Sequence, residues 1–215
     1  MQVSASIFGA DIALEVKMNL NKQTIDYYNT NAQSFVSGTI SLDFSFTQEK
    51  FRCKLENGSL ILDFGCGSGR DTKYFLEHGL QVHAMDGSEE LCKIASAYTG
   101  IPVKHMLFQE LCETDCYDGI WACSSILHLP KRELYMVIKK MISALKKNGI
   151  IYTSFKYGSY AGIRNGRYFT DFTEDAFADF MADIRDIRLE EQWVSTDIRA
   201  DRGDEKWLNV ILRKS

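Results

Sequence analysis

From Ser59 onward the chain alternates short apolar runs with amphipathic stretches: LILDF, DTKYFLEHG, LQVHAMD, SEELCKIASAYTG, VKHMLF. Apolar runs of that length are strands of a parallel sheet covered on both faces, and the stretches between them are crossover helices. YDGIWACSS follows as a fourth strand and GIIYTSF as a fifth. Between them, Lys131 to Lys147 reads as a helix with Leu134, Val137, Ile138, Met141, Ile142 and Leu145 in one stripe, closed by Asn148-Gly149. Two last runs, about Arg188 to Ile198 and Lys206 to Arg213, are joined by RADRGDE, which leaves no room for a crossover helix, so they pair antiparallel.

The pattern predicts an α/β fold: a Rossmann-like doubly wound seven-stranded sheet, mostly parallel with an antiparallel C-terminal hairpin. Ahead of it, Ile25, Tyr28, Ala32 and Phe35 share a helix face, and a second helix runs from about Thr47 to Leu55, stopped by Asn57-Gly58. A polar loop from Lys156 to Asp171 leads to a helix capped by Thr173, burying Phe177, Phe180, Met181 and Ile184. With 215 residues, 45% of them hydrophobic, the chain has enough apolar surface for one large domain. We take 18–215 as that domain, with about 18–57 as a helical cap, and 1–17 as an optional extension without assigned structure or role. Asp11 and Glu15 break the first apolar stretch, which has no basic segment before it, so neither a secretory signal nor a membrane span is expected.

Lys and Arg number 25 against 29 Asp and Glu, a net charge of -4 that supplies no basic field for a nucleic-acid backbone. The six cysteines form no C-x-x-C pair and read as reduced thiols of a cytoplasmic protein. Cys112 and Cys116 lack a second pair to complete a metal site, and no metal is expected.

The turn after the first strand, Leu60-Ile-Leu-Asp63-Phe-Gly65-Cys-Gly67-Ser-Gly69-Arg70-Asp71, lets the backbone come close to a ligand at a helix N-terminus. A dinucleotide loop wants G-x-G-x-x-G, but the third glycine here comes one residue early, and no Gly-Lys-Ser/Thr follows for a P-loop. Asp86 ends the second strand, where a doubly wound sheet places an acid for unphosphorylated ribose hydroxyls. These features point to an adenosine ligand without phosphates.

At these residues the chain resembles the class I S-adenosylmethionine-dependent methyltransferases, over most of its length from Tyr27 to Arg213. LDFGCGSGRD resembles that family's first motif, HAMDGS its second, and YDGIWACSSILHL the segment around its fourth strand. Compact size and RYFTDFT are most similar to the small-molecule branch of tellurite-resistance or thiol-type enzymes. The resemblance implies S-adenosyl-L-methionine as cofactor and S-adenosyl-L-homocysteine as product. Gly65, Cys66, Gly67 and Gly69 would then line the methionine part, with Asp63 supporting the loop. Asp86 would hold the ribose, and Gly87 and Ser88 would lie beside the adenine, whose amino group would meet Gln109 or Glu110. Ala122, Cys123 and Ser124 would close the pocket, Tyr27 and Tyr28 would lie across it, and Arg70 would meet the methionine carboxylate or remain solvated.

His128, just past the fourth strand, faces the mouth of the sheet, either as a general base or as a packed or capping histidine. Lys156 to Asp171 reads as a mobile lid or a plain surface loop. Its Arg164, Arg167, Tyr168 and Phe169, with Asp197, Arg199 and Arg202 of the hairpin loop, are candidates for the substrate wall. A thiolate or metalloid oxyanion acceptor needs no base, whereas a hydroxyl or amine does. The expected partner is a small-molecule acceptor, with no nucleic acid and no membrane, for a monomer or homodimer. The alternatives are a non-catalytic S-adenosylmethionine or S-adenosylhomocysteine binding protein, and an enzyme acting on protein or nucleic acid.

Overall fold

A computed structural model describes residues 20–199 and 202–215; the proposed extension 1–17 lies outside them. Leu60–Phe64 (β1), Gln81–Asp86 (β2), Val103–His105 (β3), Tyr117–Ala122 (β4) and Leu145–Lys156 (β5) are parallel. The helices Arg70–Glu77 (α4), Glu89–Thr99 (α5) and Lys131–Ala144 (α6) provide their crossovers. Ile187–Thr196 (β8) and Lys206–Lys214 (β9) complete a seven-stranded sheet of order β3-β2-β1-β4-β5-β9-β8, with β9 antiparallel to both neighbours. Strand order reverses at β1, which has β2 on one side and β4 on the other. The loops after β1 and β4 therefore leave in opposite directions and open a crevice at the carboxyl ends.

Alternation along β1 sends Ile61 and Leu62 to opposite faces. Leu62 packs with the buried stripe of α6, while Ile61 meets Phe51, Phe75, Trp121 and Tyr152. Trp121 stacks on Tyr152 at 4.0 Å and meets Phe51 edge-on at 5.2 Å. Phe51 belongs to Ser45–Arg52 (α3), which starts and ends earlier than the Thr47–Leu55 expectation.

The first helix is two: α1, described from 20 to 30, and Ala32–Ser37 (α2). They part at Asn31, whose side-chain amide competes with helical geometry by donating to the Tyr27 carbonyl at 2.8 Å. Tyr28, Ala32 and Phe35 still pack together, against Leu91 of α5. The helix expected to reach Lys147 ends at Ala144, because Leu145 already pairs with Tyr117 as the start of β5.

The largest departure is at 156–171. The segment read as a polar loop is the end of β5 followed by a hairpin, Ala161–Arg164 (β6) and Arg167–Thr170 (β7). Its two-residue turn is Asn165-Gly166, both with positive φ, the geometry that suits twisted strands. Glu174–Met181 (α7) follows, with the Thr173 hydroxyl accepting from the Ala176 N–H as expected; Phe177 and Ile184 are buried, Phe180 and Met181 partly so.

Candidate active site

The crevice at the switch point is one wall of a cleft that α1, α2 and the β8–β9 loop close from above. Gly65 has φ +88, and a Cβ there would stand 2.5 Å from that of Ser125, so only glycine lets β1 turn beneath the β4 loop. Gly67 donates its N–H to Asp86 Oδ2 at 2.9 Å, and Ser88 donates its own to Oδ1 at 2.8 Å. Two backbone donors thus aim the carboxylate while leaving each oxygen able to accept again. Burial raises the Asp86 pKa. Ser88 also caps α5 by accepting from the Leu91 N–H, and its hydroxyl donates to Asn29 of α1 at 2.6 Å, tying the helical cap to the glycine turn. This backbone-built cradle, with no Cβ in the way at Gly65, fits a ligand with a flat polar half.

Beside the turn, Asp71 is a hub that the sequence reading passed over. It accepts from Gln48 at 2.7 Å, from the Trp121 indole at 2.8 Å, and from Arg70 at 2.7 and 3.0 Å. Burial opposes its ionisation, but Arg70 and these donors hold its pKa below the usual value. Arg70, in turn, lies over the Phe44 ring. Asp63, also buried, accepts from Thr72 at 2.5 Å, and burial together with Asp71 raises its pKa well above the carboxylate range. Cys66 and Cys123 line the cleft, but burial raises both pKa values, that of Cys123 to about 12, so they are thiols rather than nucleophilic thiolates.

His128 lies in the opposite wall, 8% exposed. Its Nδ1 is 2.6 Å from the Tyr168 carbonyl, which can only accept, so Nδ1 carries the proton and Nε2 accepts from the Tyr28 hydroxyl at 2.9 Å. Burial lowers the His128 pKa to about 4, and Arg167 adds to the effect. Arg167 donates to Tyr28 Oη at 3.3 Å and lies over the Tyr27 ring. The hairpin is docked here rather than free, because the Tyr168 N–H donates to Thr24 of α1.

The far wall is a charged lattice. Lys156, at the end of β5, is buried between Asp197 and Glu205 and lies 4.0 Å from the centre of the Trp207 ring. Asp197 also accepts from Arg199 and from the Trp207 indole, which hold its pKa down against the effect of burial.

Among the expected cofactor residues, Tyr28, Gly65, Cys66, Gly67, Arg70, Asp86, Gly87, Ser88 and Cys123 line the cleft; Asp63, Gly69, Gln109, Glu110 and Ala122 do not. Gly69 faces Thr99 and Ala95 and serves the packing of α4 on α5. Gln109 donates to Glu133, Glu110 accepts from the Leu107 N–H, and Ala122 is fully buried. Phe108 is the residue of that segment that reaches the cleft. Of the residues expected in a substrate wall, Arg167, Phe169, Asp197, Arg199 and Arg202 line the cleft, whereas Arg164 pairs with Asp171 outside it and Tyr168 contributes its backbone. Thr24, Phe35, Phe44, Lys156 and Trp207 also line the cleft, brought in by elements distant in sequence.

Residues 61–149 match the family described as a methyltransferase domain. The fold is similar to that of the 1,6-didemethyltoxoflavin-N1-methyltransferase of Burkholderia thailandensis, solved with 1,6-didemethyltoxoflavin and S-adenosylhomocysteine (TM-score 0.71, 19% identity, 96% of this chain and 90% of that one). It is similar also to the (4+2)-cyclase SpnF (0.70, 15%, 88% and 95%). A third is the magnesium protoporphyrin IX methyltransferase of Synechocystis PCC 6803, solved with S-adenosylmethionine (0.65, 16%, 89% and 95%). Among curated proteins none matches the chain. The glycine turn and the acid that ends β2 lie within the matched residues 61–149, and the chain shares the fold of methyltransferases solved with S-adenosylmethionine or S-adenosylhomocysteine.

Proposed function

We propose that the methyl acceptor is a small molecule held between the Tyr28–His128 pair and the β8–β9 loop, and that this pair takes up the proton the acceptor releases. The carrying observation is the hydrogen-bonded pair itself, buried in the cleft wall with its tautomer set by the Tyr168 carbonyl. S-adenosylmethionine supplies a methyl on a sulfonium, with a neutral thioether as leaving group. Asp86 is our candidate for the ribose hydroxyls, and the Gly65–Gly67 turn for the methionine part.

An acceptor O–H or N–H becomes strongly acidic once its atom is alkylated. Its proton passes to Tyr28 Oη while Tyr28 gives its own to His128 Nε2. With a pKa of about 4, His128 is neutral at physiological pH and ready to accept. The cover that α1, α2 and the β6–β7 hairpin place over the cleft supports a small acceptor, and two proteins of similar fold are described as a 1,6-didemethyltoxoflavin-N1-methyltransferase and a magnesium protoporphyrin IX methyltransferase. The cyclase relative means that fold alone does not choose the reaction, which is why the site carries the argument. The thiol-type branch rests on compact size and on RYFTDFT, which is β7 and its flank. Among the described residues no helix is long and apolar enough to cross a membrane, and none of the six cysteines is in a disulfide; both suit a cytoplasmic enzyme.

Calorimetric titration with S-adenosylmethionine, S-adenosylhomocysteine and NAD should give micromolar binding of the first two and none of the third. An acceptor screen with labelled methyl donor then compares wild type with Tyr28→Phe. The variant should lose roughly 10²-fold or more in kcat for hydroxyl or amine acceptors, with unchanged cofactor affinity. Equal turnover by both proteins would end the proton-relay reading.

A further inference from the structure

The cleft wall holds several cations, and most are already neutralised. Arg70 is paired with Asp71, Lys156 with Asp197 and Glu205, and Arg199 with Asp197. Arg167 differs. Among the described residues its one hydrogen bond is to the neutral Tyr28 hydroxyl, it has no carboxylate within ion-pair distance, and its Nε is buried without a partner. Arg167 is partly buried, and a charged group that loses part of its water without gaining a counter-ion bears a cost that stacking on aromatic rings offsets only in part.

We propose that Arg167 is the anchor for a carboxylate on the methyl acceptor, which makes the substrates of this enzyme small carboxylic acids. The inference rests on the reading that the acceptor enters this half of the cleft. Its geometry is specific. The guanidinium carbon lies 4.4 Å from the centre of the Tyr27 ring and 5.3 Å from that of Phe169. Rings over the guanidinium leave its edge as the approach, and the N–H groups of a guanidinium that lines both the cleft and the basin beyond it match the oxygens of a planar carboxylate. Such an anion would supply the missing charge and sit next to the Tyr28 hydroxyl.

The position of Arg167 separates this role from holding the cofactor's own carboxylate. Arg167 stands where the cleft runs into a second basin lined by Lys156, Tyr157, Arg164, Asn165 and Arg202 among others, to which the glycine turn contributes no residue. The basin's Lys156, Arg164, Arg202 and Lys206 stand beside Asp204 and Glu205, and Lys156 and Arg164 are already paired with acids, so Arg167, with no carboxylate of its own, is where an anion would be held.

The test uses the full chain saturated with S-adenosylhomocysteine, titrated calorimetrically with benzoate and with benzamide, which has nearly the same shape and no charge. Wild type should bind benzoate at least about tenfold more tightly than benzamide, the value of one charge-assisted hydrogen bond. Arg167→Gln should remove the preference, Arg167→Lys should keep part of it, and both variants should bind S-adenosylhomocysteine within about threefold of wild type. Equal binding of benzoate and benzamide by loaded wild type overturns the proposal and leaves the methyltransferase assignment standing. A large loss of S-adenosylhomocysteine affinity in Arg167→Gln, with Arg167→Lys restoring it, also overturns it, by assigning the guanidinium to the cofactor. Failure of wild type to bind S-adenosylhomocysteine at all would bring down the site reading itself.

Discussion

The two halves of the cleft are built from different materials. The half under β1 and β2 is made of backbone: glycines with positive φ, N–H groups donating to Asp86, and a serine cap on α5. The half formed by β5, the β6–β7 hairpin and the β8–β9 loop, with the β4 loop and α1 beside them, is made of long side chains that hold one another: Lys156 with Asp197, Arg199 with Asp197, His128 with Tyr28. Backbone donors cannot be exchanged by substitution, so the first half suits a ligand that stays the same. Side-chain lattices are easily rewritten, so the second half suits a ligand that differs between relatives. The difference has consequences for which substitutions break stability and which break binding.

The largest effect is expected from Asp197→Ala, and it should fall on folding rather than on cofactor binding. The Asp197 side chain is 2% exposed and that of Lys156 10%, so removing the acid leaves a buried ammonium short of a partner. Breaking a buried pair in this way costs about 3–5 kcal/mol. The low end is expected, because Glu205 still faces Lys156 and the Arg199 side chain is about a quarter exposed. Urea unfolding midpoints measure the loss; S-adenosylhomocysteine affinity below the transition should be within a factor of a few of wild type. A variant that folds normally but no longer binds the cofactor would mean the two halves are not separable.

Gly65→Ala is the mirror experiment. The new methyl would meet Ser125 at 2.5 Å on a backbone that L-residues avoid, so the turn must move away from its ligand. S-adenosylhomocysteine affinity should fall by about 100-fold, and the Tyr28–His128–Arg167 group should be untouched. If the benzoate preference attributed to Arg167 disappears along with cofactor affinity, the comparison fails.

The next effect depends on pH. His128 has a native pKa of about 4, below the ordinary 6.5, because it is buried. An unfolded chain takes up a proton there between those two values and the folded one does not, so stability is full above 6.5 and is lost as pH falls toward 4. The loss is about 3 kcal/mol from this one group. Asp63 and Asp86, whose pKa values are raised, act in the opposite sense, but they are common to wild type and His128→Gln and cancel in the difference. Unfolding at pH 7 and 4.5 should show wild type losing about 2–3 kcal/mol more than the variant; parallel losses would show that His128 is not the buried neutral group described.

How much of this was legible in the sequence divides along the same line. The turn and Asp86 were readable because their physics is local: glycine where the backbone must turn, an acid where a strand ends. The alternation of strands and helices was readable for the same reason. The hairpin at 161–170 had a local signal too, Asn165-Gly166 between short runs, but its aromatic and arginine content drew attention to mobility instead. The Tyr28–His128–Arg167 group was not readable, since Tyr28 and His128 are 100 residues apart and Arg167 is 139 from Tyr28. Nor was the Asp71 hub, which joins Gln48, Arg70 and Trp121 from three separate elements.

The smallest effects test the place where local reading and tertiary placement disagree. Family resemblance put an adenine contact at Gln109 or Glu110, yet both side chains are committed elsewhere: Gln109 donates to Glu133 at 2.7 Å, and Glu110 accepts from the Leu107 N–H at 2.6 Å to close its own turn. The residue that reaches the cleft is Phe108, whose ring packs on Phe64 at 4.8 Å and lies against Gly65. Gln109→Ala and Glu110→Ala should therefore each change S-adenosylhomocysteine affinity by less than about threefold. Glu110→Ala should also lower stability by about 1 kcal/mol through the lost cap. Phe108→Ala, which removes an apolar ring from the cleft wall and an aromatic pair from beneath the turn, should weaken binding by more than either, by about 1 kcal/mol. A tenfold loss in Glu110→Ala, with Phe108→Ala silent, would mean that the turn at 107–111 opens when the ligand arrives and releases its acid to the adenine. The rigidity ascribed to the backbone-built half would then stop at the end of β2.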